Sequence, residues 1–297
     1  MIGIFLLAFA VTGSGLFLFF RFAKTWGFLD QPDGERKKHQ GPKPIAGVAL
    51  GIGILSTFWL WSPSPFLAAL LTGGLAFLLL GADDDRQPRP AKWRLLGQFL
   101  IATGIVFWGQ IQFQSFSLEI FSIELGWLAI PFTVFWLVSL VNAFNFIDGS
   151  DGLSLGIALI IALGFALGSS VPLVQQIAWA ITGSGVLFWW FNKPTATAFL
   201  GDGGAYLLGF LLGMLSLLDA QVNQNSFSGF GMALIFLIPL GDTLFAIARR
   251  LRAKRPIFSA DYEHIHHRLK KRFGNWGMLA WLYGITILGV IISLFFD

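Results

Sequence analysis

Asn142, Asn145, Asp148 and Asp151 recur every three residues, with Gly149 and Gly152 set among them. On a helix such groups drift slowly around one side, and the glycines would let a ligand approach the backbone closely. Turns and caps also favour Asn, Asp and Gly, but four amide or carboxylate groups in so short a run exceed what a cap needs. A second acidic feature is Asp83-Asp84-Asp85, followed by Arg86 and Arg89. Adjacent carboxylates at the mouth of an apolar stretch repel one another and lose solvation unless a cation or basic partner compensates. They could form a solvated helix end, or a base or hard-cation site, since Mg2+ takes one or two carboxylates plus substrate phosphate oxygens. Gly201-Asp202-Gly203-Gly204 opens an apolar helix. Free N–H groups at a helix start bind anions, so Asp202 reads either as an N-cap or as a ligand of a Mg2+ that bridges to phosphate.

Basic groups accompany these acids. His264, His266 and His267 stand close to Arg249, Arg250, Arg252, Lys254 and Arg255. The histidines could ligate a transition metal, but with no Cys in the chain and no clear further ligand they suit anionic oxygens better. The Arg/Lys run also suits an anionic lipid surface. Asp242 lies inside an apolar run after Pro239. A carboxylate there is a functional candidate by default, and pairing with a neighbouring helix is the simple alternative.

The elements that must position these residues are membrane helices. The chain has 297 residues, 55% of them hydrophobic and only 12% charged, with mean hydropathy +0.71, 32 Phe and 12 Trp. A soluble domain carries about twice that charged fraction. The composition excludes a soluble enzyme, a disordered chain and a disulfide-stapled module. Crossing a bilayer takes about 20 apolar residues, with roughly 17–25 as the range. Ten stretches qualify or nearly so: 2–22, 45–61, 66–82, 95–112, 126–142, 153–169, 173–191, 204–219, 230–248 and 276–296. The first has its basic residues, Arg21 and Lys24, after the apolar run, so it reads as a retained helix and not a signal peptide. We expect an all-α polytopic integral membrane protein with about ten transmembrane helices, forming a single domain over 1–297.

Charge orients it. Ten spans place loops 22–44, 82–94, 142–152, 192–203 and 249–275 on one side, and all 20 Lys and Arg lie in or at the edge of that set. The other loops carry Glu119, Glu124 and Asp219. Basic short loops mark the cytoplasmic face, so both termini should lie outside and the chemistry inside. A net charge of +4 and a pI near 9.5 would ordinarily suggest nucleic acid, but this one-sided distribution points to a membrane and no nucleic-acid partner. Carboxylates for Mg2+ and cations for phosphate meet where a soluble nucleotide and a membrane lipid could both reach them.

In order along the chain, the loops read Asp30-Gln-Pro with Arg36, Lys37, His39 and Pro44; Asp84-Asp85-Arg86 with Lys92; Asn142-x-x-Asn145-x-x-Asp148-Gly-x-Asp151-Gly-Leu; Phe199-Leu-Gly-Asp202-x-Gly; and Phe258-x-x-Asp261-x-x-His264-Ile-His266-His267. This series resembles the polyprenyl-phosphate N-acetylhexosamine-1-phosphate transferases, the WecA- and MraY-type bacterial enzymes. The family has an apolar residue where Asp83 stands, so its Asp pair aligns with Asp84 and Asp85; its Gly-Gly is here Gly47-Val48. The His-Ile-His-His form looks like the WecA branch.

The resemblance implies transfer of N-acetylglucosamine-1-phosphate from UDP-GlcNAc to undecaprenyl phosphate in the bacterial inner membrane, releasing UMP, with Mg2+ (or Mn2+) as cofactor. It also implies roles: Asp202 as the Mg2+ ligand, aided by Asp84 and Asp85; Asp84 or Asp85 orienting or deprotonating the lipid phosphate; Asn145, Asp148 and Asp151 holding the nucleotide, with Asp148 and Asp151 counted among the catalytic residues; and Asn142 binding substrate. Lys92, His264, His266 and His267 would bind pyrophosphate or sugar, and Arg36, Lys37, His39, Arg249 and Arg250 would bind substrate. A direct displacement, a two-step route through an aspartyl-phosphate, another UDP-N-acetylhexosamine or a muramoyl-pentapeptide nucleotide, and a homodimer all remain open. A transporter is the non-enzyme rival, but it would place polar groups near the midplane of several spans, whereas here they crowd one face.

Overall fold

The computed structural model describes residues 1–31, 41–61, 64–118, 121–222, 226–254 and 264–295. Arg36, Lys37 and His39 lie outside them.

Helices dominate: α1 (Ile2–Trp26), α2 (Gly47–Leu55, continued by a 3-10 turn over Ser56–Leu60), α3 (Pro65–Arg86), α4 (Ala91–Gly109), α5 (Ala129–Ile147), α6 (Leu153–Gly168), α7 (Pro172–Asn192), α8 (Gly201–Val222), α9 (Gly229–Ile235), α10 (Leu237–Arg252) and α11 (Ile265–Ser293). Their ends follow local chemistry. Gly27 stops α1 in the left-handed region at φ 78°, the C-terminal arrangement glycine permits without strain. Ser64 caps α3 by accepting a hydrogen bond from Leu67 N at 3.1 Å, with Pro65 in the first turn, where its missing N–H costs nothing.

Among the described residues, five helices are long and apolar enough to cross a membrane (α1, α3, α5 with the turn before it, α8 and α11), or six if α9 and α10 count as one bent span. The ten apolar stretches read from the sequence fall on helices, but fewer than ten of these are long and apolar enough to cross by themselves, and two breaks stand out. The stretch 230–248 is not one rod: α9 and α10 meet at 88°. Pro239 stands in the first turn of α10, so a new helix can begin there without losing an internal hydrogen bond. And α11 is broken at Gly274 (φ 69°, ψ −178°), which separates its basic first part from the apolar remainder.

Short strands depart from the all-α expectation. β1 (Leu29–Asp30) pairs antiparallel with β2 (Lys43–Pro44). On the opposite end of the bundle, β3 (Ser115–Leu118) lies between antiparallel β4 (Phe121–Glu124) and parallel β5 (Ser226–Ser228). The alternation Ser-Phe-Ser-Leu and Phe-Ser-Ile-Glu is the two-residue period of a strand.

The helices enclose α8, which packs against α2, α3, α5, α6 and α7. Tyr206, Leu207, Leu208, Phe210, Leu211 and Leu212 are all buried, as expected of a helix that is apolar all round. Outside it, Phe17, Trp59, Leu79, Leu100, Trp127 and Phe135 point away from the bundle. So extensive an apolar exterior is a surface for lipid rather than water. Small residues bring α8 close to its neighbours: a Cβ on Gly209 would lie 2.6 Å from Leu140 O. Asp219 was expected in an outer loop, yet it is buried and accepts a hydrogen bond from Ser169 Oγ.

Candidate active site

The site lies where α3 and α5 end and α8 begins. Gly201 turns the chain into α8 with φ 70°, and a Cβ there would stand 2.7 Å from the Asp85 carboxylate. Asp85 accepts from both leading amides of α8, Asp202 N at 2.8 Å and Gly203 N at 3.0 Å. A side chain at the end of one helix thus caps another and sits at the positive end of its dipole. One turn earlier, Gly81 lets the backbones touch: its Cβ would meet the Asp202 carbonyl at 2.5 Å. Gly47 plays the same part for Leu200 and Gly204 from the start of α2.

Held this way, the Asp202 carboxylate accepts from Asn145 Nδ2 at 2.7 Å and from an Arg94 guanidinium nitrogen at 2.9 Å. The same nitrogen reaches Asp84 at 2.7 Å. Arg94 therefore bridges Asp84 and Asp202. The other Asp84 oxygen accepts from Arg89 N at 2.6 Å. Asp83 pairs with the Arg89 side chain at 2.8 Å and is 52% exposed, against 10% for Asp84. That contrast separates the solvated carboxylate from the one turned into the site.

Asp148 follows the last turn of α5 and feels Asp202, Asp85 and Asp151. Burial and then these like charges push its carboxyl well above the usual range, against a hydrogen bond from the Gly201 amide. Asp151 accepts from Ala196 N at 3.2 Å. Asn192 takes the Gly152 amide and donates to Ala198 O, tying the turn after α5 to the segment that leads into α8.

Other expected site residues are placed differently. Asn142 donates to Gln98 Oε1 at 2.6 Å and to Val138 O at 2.8 Å, so it joins α5 to α4. Lys92 lies 5.6 Å over the ring of Trp93. Arg250 stands 6.0 Å over Phe146, whose ring also lies 6.4 Å from His264; Arg249 precedes it in the last turn of α10. Phe146 thus brings the end of α10 and the histidines to the turn after α5. His267 packs against His266 with ring centres 4.2 Å apart.

Sequence reasoning missed Arg94 and Tyr206, whose hydroxyl lies 3.4 Å from the same Asp202 oxygen. A signal for Arg94 was available. It lies in the first turns of α4, where positive charge opposes the helix dipole and calls for an anionic partner.

Four carboxylates (Asp84, Asp85, Asp148, Asp202) share this region with one bridging guanidinium. An all-oxygen set with excess negative charge, part of it desolvated, fits a hard divalent cation such as Mg2+. The tightest three-donor group among the described residues is elsewhere: Asp242, His264 and His266, with ligand atoms within 4.8 Å of one another.

The family model for glycosyl transferase family 4 matches residues 67–219. That span runs from α3 to α8 and holds Asp84, Asp85, Arg94, the Asn142–Asp151 run and Asp202. The chain belongs to glycosyl transferase family 4. Among its family relatives, the Bacillus subtilis "Probable undecaprenyl-phosphate N-acetylglucosaminyl 1-phosphate transferase" is 35% identical over 84% of this chain and 71% of its own. The undecaprenyl-phosphate alpha-N-acetylglucosaminyl 1-phosphate transferase of Thermotoga maritima is 30% identical over 92% and 83%. The Escherichia coli K12 protein of the same name is 30% identical over 86% and 73%. The family-4 match ends at Asp219, so α9, α10 and the histidine segment lie beyond it, while these relatives align over most of the chain.

Proposed function

We propose that this family-4 protein transfers N-acetylglucosamine-1-phosphate from UDP-GlcNAc to a polyprenyl phosphate, undecaprenyl phosphate in bacteria, forming a lipid-linked pyrophosphoryl sugar and UMP. The observation that carries it is the Asp84–Arg94–Asp202–Asn145 network, built on the first turn of a buried apolar helix. The names of the relatives favour the sugar and the lipid.

In the reaction an oxygen of the lipid phosphate attacks the sugar-bearing phosphorus of UDP-GlcNAc. A new P–O bond forms, and the P–O bond to UMP breaks with its electron pair leaving on UMP. One pyrophosphate replaces another, so positioning and charge stabilisation do most of the work. Arg94, already between two carboxylates, can turn a guanidinium nitrogen to phosphate oxygens, where charge develops. Asn145 fixes the rotamer of Asp202, and Asp85 keeps the first turn of α8 in place. The Asp148–Asp151 turn, with its glycines, is suited to hold the nucleotide. Mg2+ would be held by Asp202 with Asp84 or Asp148, and when bound it neutralises pyrophosphate charge.

The chain is further read as ten spans in the inner membrane, with the site on the cytoplasmic face and both termini outside. The test is UMP release by purified protein given polyprenyl phosphate and a panel of UDP-sugars. UDP-GlcNAc should support turnover. Turnover only with the muramoyl-pentapeptide nucleotide would reassign the substrate, and none with any sugar nucleotide would reject the activity.

A further inference from the structure

Asp242 is 3% exposed on α10, beyond the 88° bend. Its two oxygens are used separately. One accepts from Ile265 N at 2.9 Å, at the start of α11. The other lies 2.8 Å from His264 Nδ1 and 3.6 Å from His266 Nδ1. A carboxylate can only accept, so this contact places the proton of His264 on Nδ1, the tautomer opposite to the one free histidine prefers in water. His266 is 1% exposed, and among the described residues neither of its ring nitrogens has a hydrogen-bond partner. The ring stacks on His264 at 5.4 Å and 17°. A Cβ on Gly149 would lie 3.4 Å from its Nε2, so that nitrogen faces the turn between Asp148 and Asp151. A buried ring nitrogen left without a partner calls for an explanation, and an anionic oxygen arriving with a ligand supplies one.

We propose that Asp242 is a positioning residue: from the far limb of the bent helix pair it fixes the tautomer and orientation of His264, and through the stacked rings it holds His266 Nε2 toward the Asp148–Asp151 turn. The role for the phosphates rests on the transferase reading; the ring geometry does not. A buried Asp that holds a histidine tautomer is a known way to prepare an imidazole for chemistry. The two imidazoles and the carboxylate could also be read as a transition-metal site. Two ligands of a tetrahedral Zn2+ stand roughly 3.3 Å apart, given bonds of about 2.0–2.1 Å, whereas 2.8 Å between His264 and Asp242 is a hydrogen-bond length. The other Asp242 oxygen is taken by a backbone amide, and the Arg250 cation shares Phe146 with His264. These features favour the hydrogen-bonded arrangement.

With four histidines in the chain, ring ¹⁵N signals of the full-length labelled protein can be read directly, with His264→Gln assigning one. The wild type should show His264 carrying its proton on Nδ1, and Asp242→Ala should move it to Nε2. In the UMP assay, Asp242→Ala should lower kcat by roughly 10–100-fold, as loss of an orienting partner does, with the KM for polyprenyl phosphate unchanged. Asp242→Glu should restore part of it, and Asp242→Asn keeps the shape should the alanine variant fail to fold. An unmoved His264 signal in the folded variants would overturn the proposal. So would wild-type ring signals that shift on adding a chelator, since a metal would then hold the rings. The spectra need no turnover, so a failed assay with the expected spectra counts against the transferase reading alone.

Discussion

At the scale of single residues, the site is an economy of carboxylates in which each acid has a different partner. Asp85 spends both oxygens on backbone amides, Asp84 and Asp202 share one guanidinium, and Asp148 is crowded by like charge. Asp202→Asn leaves the amide that Asp85 caps untouched and removes one charge. UMP release should fall by at least roughly 10²–10³-fold, with the protein still folded. Near-normal release at ordinary Mg2+ would move the essential charge to Asp84 or Asp148. Asp148 also sets a pH dependence. A carboxyl raised in the folded state binds a proton that the unfolded state has already lost. The stability contributed by this group is therefore fully present at low pH and is lost as pH rises from the ordinary carboxylate range through the raised value. Thermal melts of the metal-free protein should show that fall, Asp148→Asn should flatten it, and Mg2+ should stabilise more at higher pH, where no proton has to leave. The acids and amides themselves were legible in the sequence, since such groups beside apolar spans need a reason. Their partners were not. Nothing local reveals that Asn142 faces Gln98 or that Arg94 reaches across to Asp202, because those contacts depend on how three helices pack.

At the scale of elements, the junction of α3 with α8 decides whether the site exists. A methyl group at Gly81 would meet the Asp202 carbonyl at 2.5 Å, and backbone cannot yield as a flexible side chain can. Gly81→Ala should cost about 1–3 kcal/mol, the range for overpacking, and should lower UMP release although no polar group is altered. A variant with normal melting and normal turnover would mean the helices separate at no cost. The apolar runs made most helices readable in advance. The bend between α9 and α10 was not, because hydropathy reports what a segment is made of and not its direction. The short β3 and β4 strands were readable from their alternation but lie in a stretch that charge counting treats as a loop.

For the whole molecule, the one-sided placement of all 20 basic residues predicts that both termini lie away from the cytoplasm. A reporter active only in the cytoplasm should stay silent when fused to either end, and strong activity from one end would require an odd number of spans. The site belongs at the basic end, because Arg94 is part of it and Phe146 brings Arg250 and His264 to its edge.

The cap that Asp85 places on α8 joins residues 117 positions apart. During synthesis at about 5–20 residues per second, Asp85 is made roughly 6–23 s before its partner amide. Through that interval Asp83 and Asp84 can already pair with Arg89 and Arg94 close behind them, whereas Asp85 has no α8 amides to accept from. A ribosome that stalls between the two helices would leave Asp85 without its two amides, so this end of α3 is finished only when the first turn of α8 has been made.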